Sequence, residues 1–331
     1  MLRKRQAQFV GMLVVLWSFS CLAAEAPIKL RVAYPTNAAG YAILWVTKDA
    51  GLFRKNGLEA ELLYIQSSTL IAQAMAGGSV GITTMAGGSA IEANLQGLDL
   101  VLLASIKKRP SLTYLAATKE ITRPEQLKGR RVAVSRVGSS SDAILRLALR
   151  KLGLNPEKDV TILSIGNSPL RMAALQSGQI DATILTVEDK VAGEKFGINI
   201  LLDLRDLALE FLETDVVTTK SFIQRDEEAV RRFMKAIVEG IHFFKTQKAK
   251  SMEIMAKYMR VKDPRIIEVG YDFHAEVYEK TPYPAVAAIQ AALEEIAHRN
   301  PKAREAKPAQ FIETKFVRQL DESGYIDSLY R

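Results

Sequence analysis

Six short polar stretches carry the residue types from which a site for a small solute can be built. They are Asn37 to Gly40 with Tyr41 behind it, Ser67-Ser68-Thr69, Gly87-Gly88-Ser89, Gly138-Ser139-Ser140-Ser141, Asn167-Ser168 and Thr186-Val187-Glu188. Each follows an apolar run and precedes a stretch of helix formers. At such a strand-to-helix junction the first backbone N–H groups lack partners inside the helix, and the helix dipole favours negative charge. Short hydroxyls add donors and acceptors without bulk, so the set suits a small polar or anionic ligand. Glu188 adds a carboxylate that could hold an amine or hydroxyl.

Each stretch also has a purely structural reading. Gly87 and Gly88 can make a tight turn with Ser89 as a helix cap. Ser139 and Asp142 have the capping-box spacing, so Ser139 either caps its own helix or leaves neighbouring N–H groups for a ligand. Arg136 either pairs with a ligand anion or sits solvated on the surface, and Glu188 either faces the ligand or simply starts a helix in water. Tyr41 and Trp45 could supply an apolar wall, although Trp45 in mid-helix reads better as core.

The usual catalytic constellations are missing. His242, His274 and His298 are the only histidines. They are far apart, none has metal-ligand spacing, and none is expected near the ligand cleft. No Gly-x-Ser-x-Gly, P-loop or Gly-x-Gly-x-x-Gly occurs. No catalytic residue, metal site or cofactor is expected.

Strands and helices must position these junctions. Lys29 to Tyr34, Glu59 to Ile65, Val80 to Thr84 and Leu100 to Ser105 read as strands, with helices over Tyr41 to Ala50, from Ser67 to about Gly77, and from Ala90 to Leu95. The sequence Met-Ala-Gly-Gly-Ser occurs at Met75 and again at Met85. The first copy reads as a helix stop, and the second, which follows a strand, as a ligand loop. The rhythm restarts with strands at Leu112 to Thr118, Val132 to Ser135, Val160 to Ile165 and Asp181 to Leu185, with helices between. Two similar α/β lobes follow from this repetition. Thr214 to Thr219 is strand-like and returns the chain to the first lobe. Beyond Asp226 the chain is mostly helical, with an apolar stripe over Val230, Phe233, Met234, Ile237, Val238, Ile241 and Phe244. A second stripe runs over Val286, Ile289, Leu293 and Ile296.

At the start, Arg3, Lys4 and Arg5, the apolar run Phe9 to Leu22 and the small residues Ala23, Ala24 and Ala26 read as a secretory signal peptide over residues 1–24. Lipid anchoring at Cys21 fits less well, because Ser18-Phe19-Ser20 is a poor lead-in. Loss of those three cations lowers the formal net charge from +8 to +5. It also removes the only cysteine, so the mature chain needs no disulfide in an oxidising compartment. Basic residues alternate with acidic ones rather than interleaving with aromatics, which argues against nucleic acid. No later apolar segment approaches ~18 residues.

The order and spacing of several longer matches complete the picture. They are Lys48-Asp49-Ala50-Gly51-Leu52-Phe53 with Asn56-Gly57-Leu58, Gln73-Ala74-Met75-Ala76-Gly77, and Leu127-Lys128-Gly129-Arg130-Arg131-Val132-Ala133-Val134. Ala173-Ala174-Leu175-Gln176-Ser177-Gly178-Gln179-Ile180-Asp181-Ala182 and Phe222-Ile223 follow. Over about Ile28 to Lys250 the chain resembles the periplasmic solute-binding proteins of ABC importers, in the branch serving nitrate, sulfonates, taurine and thiamine-pyrimidine precursors. The resemblance implies an α/β two-lobe periplasmic-binding-protein fold of type II, each lobe a mixed sheet flanked by helices. Lobe 1 would comprise residues 28–114 and 217–331, lobe 2 residues 115–216, with hinge strands near 112–118 and 214–219. It further implies a small-molecule ligand held between the lobes, a transient ABC permease partner, a monomeric periplasmic protein and no enzymatic activity. The family's ligand loops would fall on Pro35 to Tyr41, Ser67-Ser68-Thr69, Gly87-Gly88-Ser89, Gly138 to Ser141 and Glu188. Ser79-Val80-Gly81 and Glu188-Asp189 depart from the family pattern and leave the ligand open. An enzyme on the same fold, or a sensory binding subunit, is the alternative.

Overall fold

The computed structural model describes residues 26–207 and 211–331. The expected signal peptide and Cys21 lie outside the described residues.

The first sheet begins with β1 (Ile28–Tyr34), α1 (Ala42–Asp49), the short α2 (Leu52–Lys55), β2 (Leu58–Tyr64) and α3 (Ser68–Ala76). It continues with β3 (Ile82–Met85), α4 (Gly87–Leu95) and β4 (Leu100–Ser105). The chain then builds a second sheet from β5 (Leu112–Ala117), β6 (Arg130–Val134), α5 (Ser140–Lys151), β7 (Val160–Ser164) and α6 (Ser168–Gln176). β8 (Ala182–Thr186), α7 (Val187–Gly193) and β9 (Asn199–Asp203) complete it. β10 (Asp215–Thr219) returns to the first sheet and is followed by α8 (Lys220–Arg225), α9 (Glu227–Thr246), α10 (Lys248–Met259) and α11 (Pro264–Val277). α12 (Val286–Ala297), α13 (Lys315–Glu322) and α14 (Tyr325–Ser328) end the chain.

The strand orders are β2-β1-β3-β10-β4 and β7-β6-β8-β5-β9. In each sheet four strands share one direction and the crossing strand runs antiparallel to both of its neighbours. The two halves therefore share one plan. β4 is buried along its whole length, as a strand covered on both faces must be, which is why Leu100 to Ala104 is continuously apolar rather than alternating.

The apolar stripe of α9 is buried as its spacing requires, from Val230 to Phe244. Fully burying each large side chain contributes ~1.5–3 kcal/mol. α9 lies against α1, and a side chain at Gly240 would run into Thr47. Trp45 is core, stacked on Tyr258 with ring centroids 5.1 Å apart.

Three elements differ from the sequence reading. α4 starts at Gly87 rather than Ala90, because Gly87 and Gly88 adopt helical geometry instead of a loop. The stripe on α12 loses Val286, which opens the helix and stays exposed, while Ile289, Leu293 and Ile296 are buried. β9 was not expected at all: Asn199–Asp203 is only half-buried at the sheet edge and lacks a clean alternating pattern.

Candidate functional site

Two cavities lie where the carboxyl ends of the two sheets face each other. This is the edge at which open α/β sheets bind ligands. The first, about 60 Å³, is polar and lined by Thr36, Gly40, Tyr41, Ser67, Ser68, Ser111, Ser135, Ser139, Ser140, Ser141, Asn167, Arg171 and Glu213, among others. The second, about 110 Å³, adjoins it and is lined by Gly88, Ser89, Gly138, Ser139 and Ser140 together with apolar residues of α5 and α12. Ser139 and Ser140 belong to both linings. A larger concavity of about 1570 Å³ at the amino ends of β1 and β2 is an open groove that none of the junctions reaches.

The first-lobe junctions spend much of their polarity internally. Ser68 Oγ accepts from Ala86 N at 3.0 Å, and Ser67 Oγ accepts weakly from Leu70 N at 3.4 Å. Ser67 holds φ at 95° in a conformation that costs a non-glycine residue ~1–3 kcal/mol. Gly87 N donates to Asp215 Oδ2 at 2.9 Å, and a side chain there would collide with Leu102 and Asp215. Gly87 therefore lines neither cavity: its N–H already has a carboxylate. Burial pushes the Asp215 carboxyl up to about 7, opposed by its hydrogen bonds from Ser105 and Gly87. Tyr41 lines the first cavity, its hydroxyl held by donation to Glu213 O at 2.7 Å. Asn37 Oδ1 and Thr69 Oγ1 are buried without protein partners and lie outside both linings.

The second-lobe serines are arranged differently. Ser135, Ser139 and Ser141 form a triangle with Oγ–Oγ separations of 2.9, 3.0 and 3.0 Å. The capping-box reading of Ser139 does not hold. Its hydroxyl donates to Arg136 O at 2.6 Å, while Asp142 Oδ2 accepts from Gly138 N at 2.8 Å. Asp142 thus holds the loop before the helix through Gly138 N, and α5 starts without a side-chain cap while Ser135, Ser139, Ser140 and Ser141 line the first cavity. Asn167 caps α6, with Oδ1 accepting from Leu170 N at 3.3 Å, and still lines the first cavity.

Several contacts join the lobes across the cleft. Ser89 Oγ donates to Gly138 O at 2.8 Å, and Asn167 Nδ2 reaches Tyr64 Oη at 3.4 Å. Arg150 pairs with Glu295 at 2.5 Å. Glu188 Oε1 accepts from Ala39 N at 3.1 Å, while Oε2 is buried without a partner. Glu188 is not among the lining residues of either cavity, and its bond to Ala39 N ties the second lobe to the first. Burial, reinforced by the neighbouring Asp189 carboxylate, pushes its carboxyl up to about 7.

The sequence reading missed the cation at the site. Arg136 is exposed, and Arg171 lines the first cavity instead. Arg171 is buried and donates to Gly166 O at 2.8 Å, Thr183 Oγ1 at 3.0 Å and Ile184 O at 3.2 Å. Burial lowers its pKa to about 10, which keeps it charged at neutral pH. A second cation, Lys107, is fully buried, pairs with Glu213 at 2.9 Å and also contacts Ser111. Contrary to expectation, a histidine sits beside this group. A side chain at Gly40 would lie 3.1 Å from Lys107 Nζ and 3.4 Å from His274 Cε1. His274 is fully buried with both ring nitrogens unpartnered, and burial together with the Lys107 charge holds its pKa well below normal. No spacing signal could have found these groups, because Lys107, Glu213 and His274 meet only through the tertiary fold.

The geometry defines a two-lobe α/β fold with two adjoining cavities in the cleft between its sheets. The chain belongs to the NMT1/THI5-like family, whose model matches residues 38–250. It is similar to the taurine-binding periplasmic protein of Escherichia coli (strain K12), 27% identical over 225 residues that cover 67% of this chain and 68% of that protein. Among solved structures it resembles the alkanesulfonate-binding protein SsuA of Xanthomonas axonopodis pv. citri bound to MOPS, with TM-score 0.72 and 19% identity, covering 88% of this chain and 100% of that one. It also resembles the periplasmic nitrate-binding protein NrtA of Synechocystis PCC 6803, with TM-score 0.75 and 13% identity, covering 90% and 89% of the two chains. These structural likenesses establish the periplasmic-binding-protein fold.

Proposed function

We propose that this protein is the substrate-binding component of an ABC-type importer. It captures a small polar organic solute between its lobes in the periplasm and, as a monomer, delivers it to a membrane permease. The lobes pivot about the two crossings, near residues 112–118 and 214–219. The observation that carries this reading is the enclosed, hydroxyl-rich cavity formed jointly by both sheets, with buried Arg171 in its wall. The binding functions named for the taurine, alkanesulfonate and nitrate relatives support it, as does the basic and apolar amino-terminal sequence.

The cavity favours an acidic group on the ligand. Arg171 contributes positive charge, and the lining carboxylate of Glu213 is already neutralised by Lys107. A thermal-shift screen of sulfonates, nitrate, amino acids, aromatic acids and pyrimidines tests the proposal. A true ligand at one hundred times its Kd should stabilise the protein by ~2.7 kcal/mol. An organic acid or zwitterion is the expected best hit. A screen in which nothing shifts the melting temperature, or in which a simple cation does so most, overturns it.

A further inference from the structure

Beside the second cavity, α5 of the second lobe and α12 of the first also meet through charge. Arg150 on α5 donates to Glu295 Oε1 on α12 at 2.5 Å, with both side chains mostly buried. Each partner has an alternative inside its own lobe. Arg150 pairs with Glu157 at 2.7 Å; Glu157 is shared with Arg146 at 3.2 Å, which in turn holds Asp142 at 2.8 Å. On the other side Glu295 lies 4.0 Å from Arg299, which pairs with Glu92 at 3.2 Å. Acids and bases thus alternate from Asp142 in one lobe to Glu92 in the other, and in this series the Arg150–Glu295 step crosses the cleft. Removing one partner of a buried ion pair costs more than the pair itself contributes, because a charge is left uncompensated. Separation of these lobes strands neither ion: Arg150 keeps Glu157 and Glu295 keeps Arg299. The crossing pair therefore favours the closed form without penalising the open one, as a reversible latch must.

We propose that Arg150 and Glu295 form an ionic latch that holds part of the unliganded population closed and weakens as ionic strength rises. This rests on reading the two lobes as closing around a solute, and it holds whichever solute they enclose. A ligand shifts an open–closed equilibrium only by its differential affinity for the two forms. Closure supplied by the latch lowers what the solute's own contacts must supply, so the same device tightens capture in dilute solution and loosens it in salt.

Small-angle scattering of the unliganded protein at pH 7, in about 20 mM and about 500 mM sodium chloride, tests the latch. The particle should be more open in the higher salt. Arg150→Met, and independently Glu295→Gln from the opposite lobe, should open it in low salt, shifting the closed-to-open ratio about three- to five-fold, and should abolish the salt response. The double variant should be no more open than either single one. Glu157→Gln should move the ratio the other way, because it removes the partner that Arg150 keeps in the open form. If one single variant fails to fold, as read by circular dichroism, the other decides from the opposite lobe. A parent particle indifferent to salt, single-variant openings that add in the double variant, or opening by Glu157→Gln overturns the latch. None of these results touches the solute-binding reading, which stands or falls on the thermal shifts produced by ligands.

Discussion

The cleft edges of the two lobes are built from similar sequence signals and put to different uses. In the first lobe the polar groups of Ser68 and Gly87 are taken up by Ala86 and Asp215 inside the same lobe. In the second lobe Ser139, Ser140 and Ser141 stand in the cavity walls, with Ser139 Oγ donating to Arg136 O and Asp142 accepting from Gly138 N. A glycine or serine at a helix start is therefore only an opportunity. In both lobes a carboxylate takes one glycine N–H, Asp215 that of Gly87 and Asp142 that of Gly138, and what differs is how many neighbouring serines are left in the cavity walls.

The largest expected effect is on the closed type of junction. Asp215→Ala would leave buried Gly87 N–H and Ser105 Oγ without their acceptor. It should lower stability by ~2–4 kcal/mol, measured by chemical denaturation; a change under ~1 kcal/mol would break the contrast. Ser140→Leu attacks the open type, because Ser140 lines both cavities and is only half-buried. It should weaken binding of the best screened ligand about 100-fold while the unliganded melting temperature moves little. Equal losses of stability and affinity would show that Ser140 is structural after all.

Glu188 sharpens the comparison through pH. Its carboxyl, raised to about 7 in the closed cleft, favours closure when protonated. That contribution is fully present below the ordinary carboxyl range and is lost as pH rises through about 7. Small-angle scattering of the unliganded protein should show a more open particle at pH 8 than at pH 5.5. Glu188→Gln should flatten this dependence by favouring the closed form at pH 8, by on the order of 2 kcal/mol. An unchanged pH dependence in the variant would remove Glu188 from the lock. The smallest effect belongs to Ser89→Ala, which deletes one hydrogen bond across the lobes. It should weaken ligand-bound closure by ~1 kcal/mol, read as a several-fold faster ligand release. A release rate identical to the parent's would show that this bond contributes nothing.

Much of the fold was legible in the sequence because it depends on local period. The apolar stripe of α9 and the Met75 copy of Met-Ala-Gly-Gly-Ser as a helix stop both follow from residues within a few turns. Of the Met85 copy, Gly88 and Ser89 line the second cavity, and Gly87 alone departs from the ligand-loop reading, because the carboxylate that fixes it lies at Asp215, far along the chain. The site was legible as a set of junctions but not as a volume. Arg171, the Lys107–Glu213 pair and the apolar wall between α5 and α12 are products of long-range packing that no residue spacing encodes.

The return of β10 also sets an order on chain growth. β10 lies between β3 and β4, so a nascent chain that has just completed β4 holds a three-strand fragment and a fourth strand with no neighbouring strand. The second sheet needs only what is contiguous from Leu112 to Asp203. Emerging amino end first, the molecule can therefore finish its second half before its first, and the first is sealed only when Asp215–Thr219 arrives.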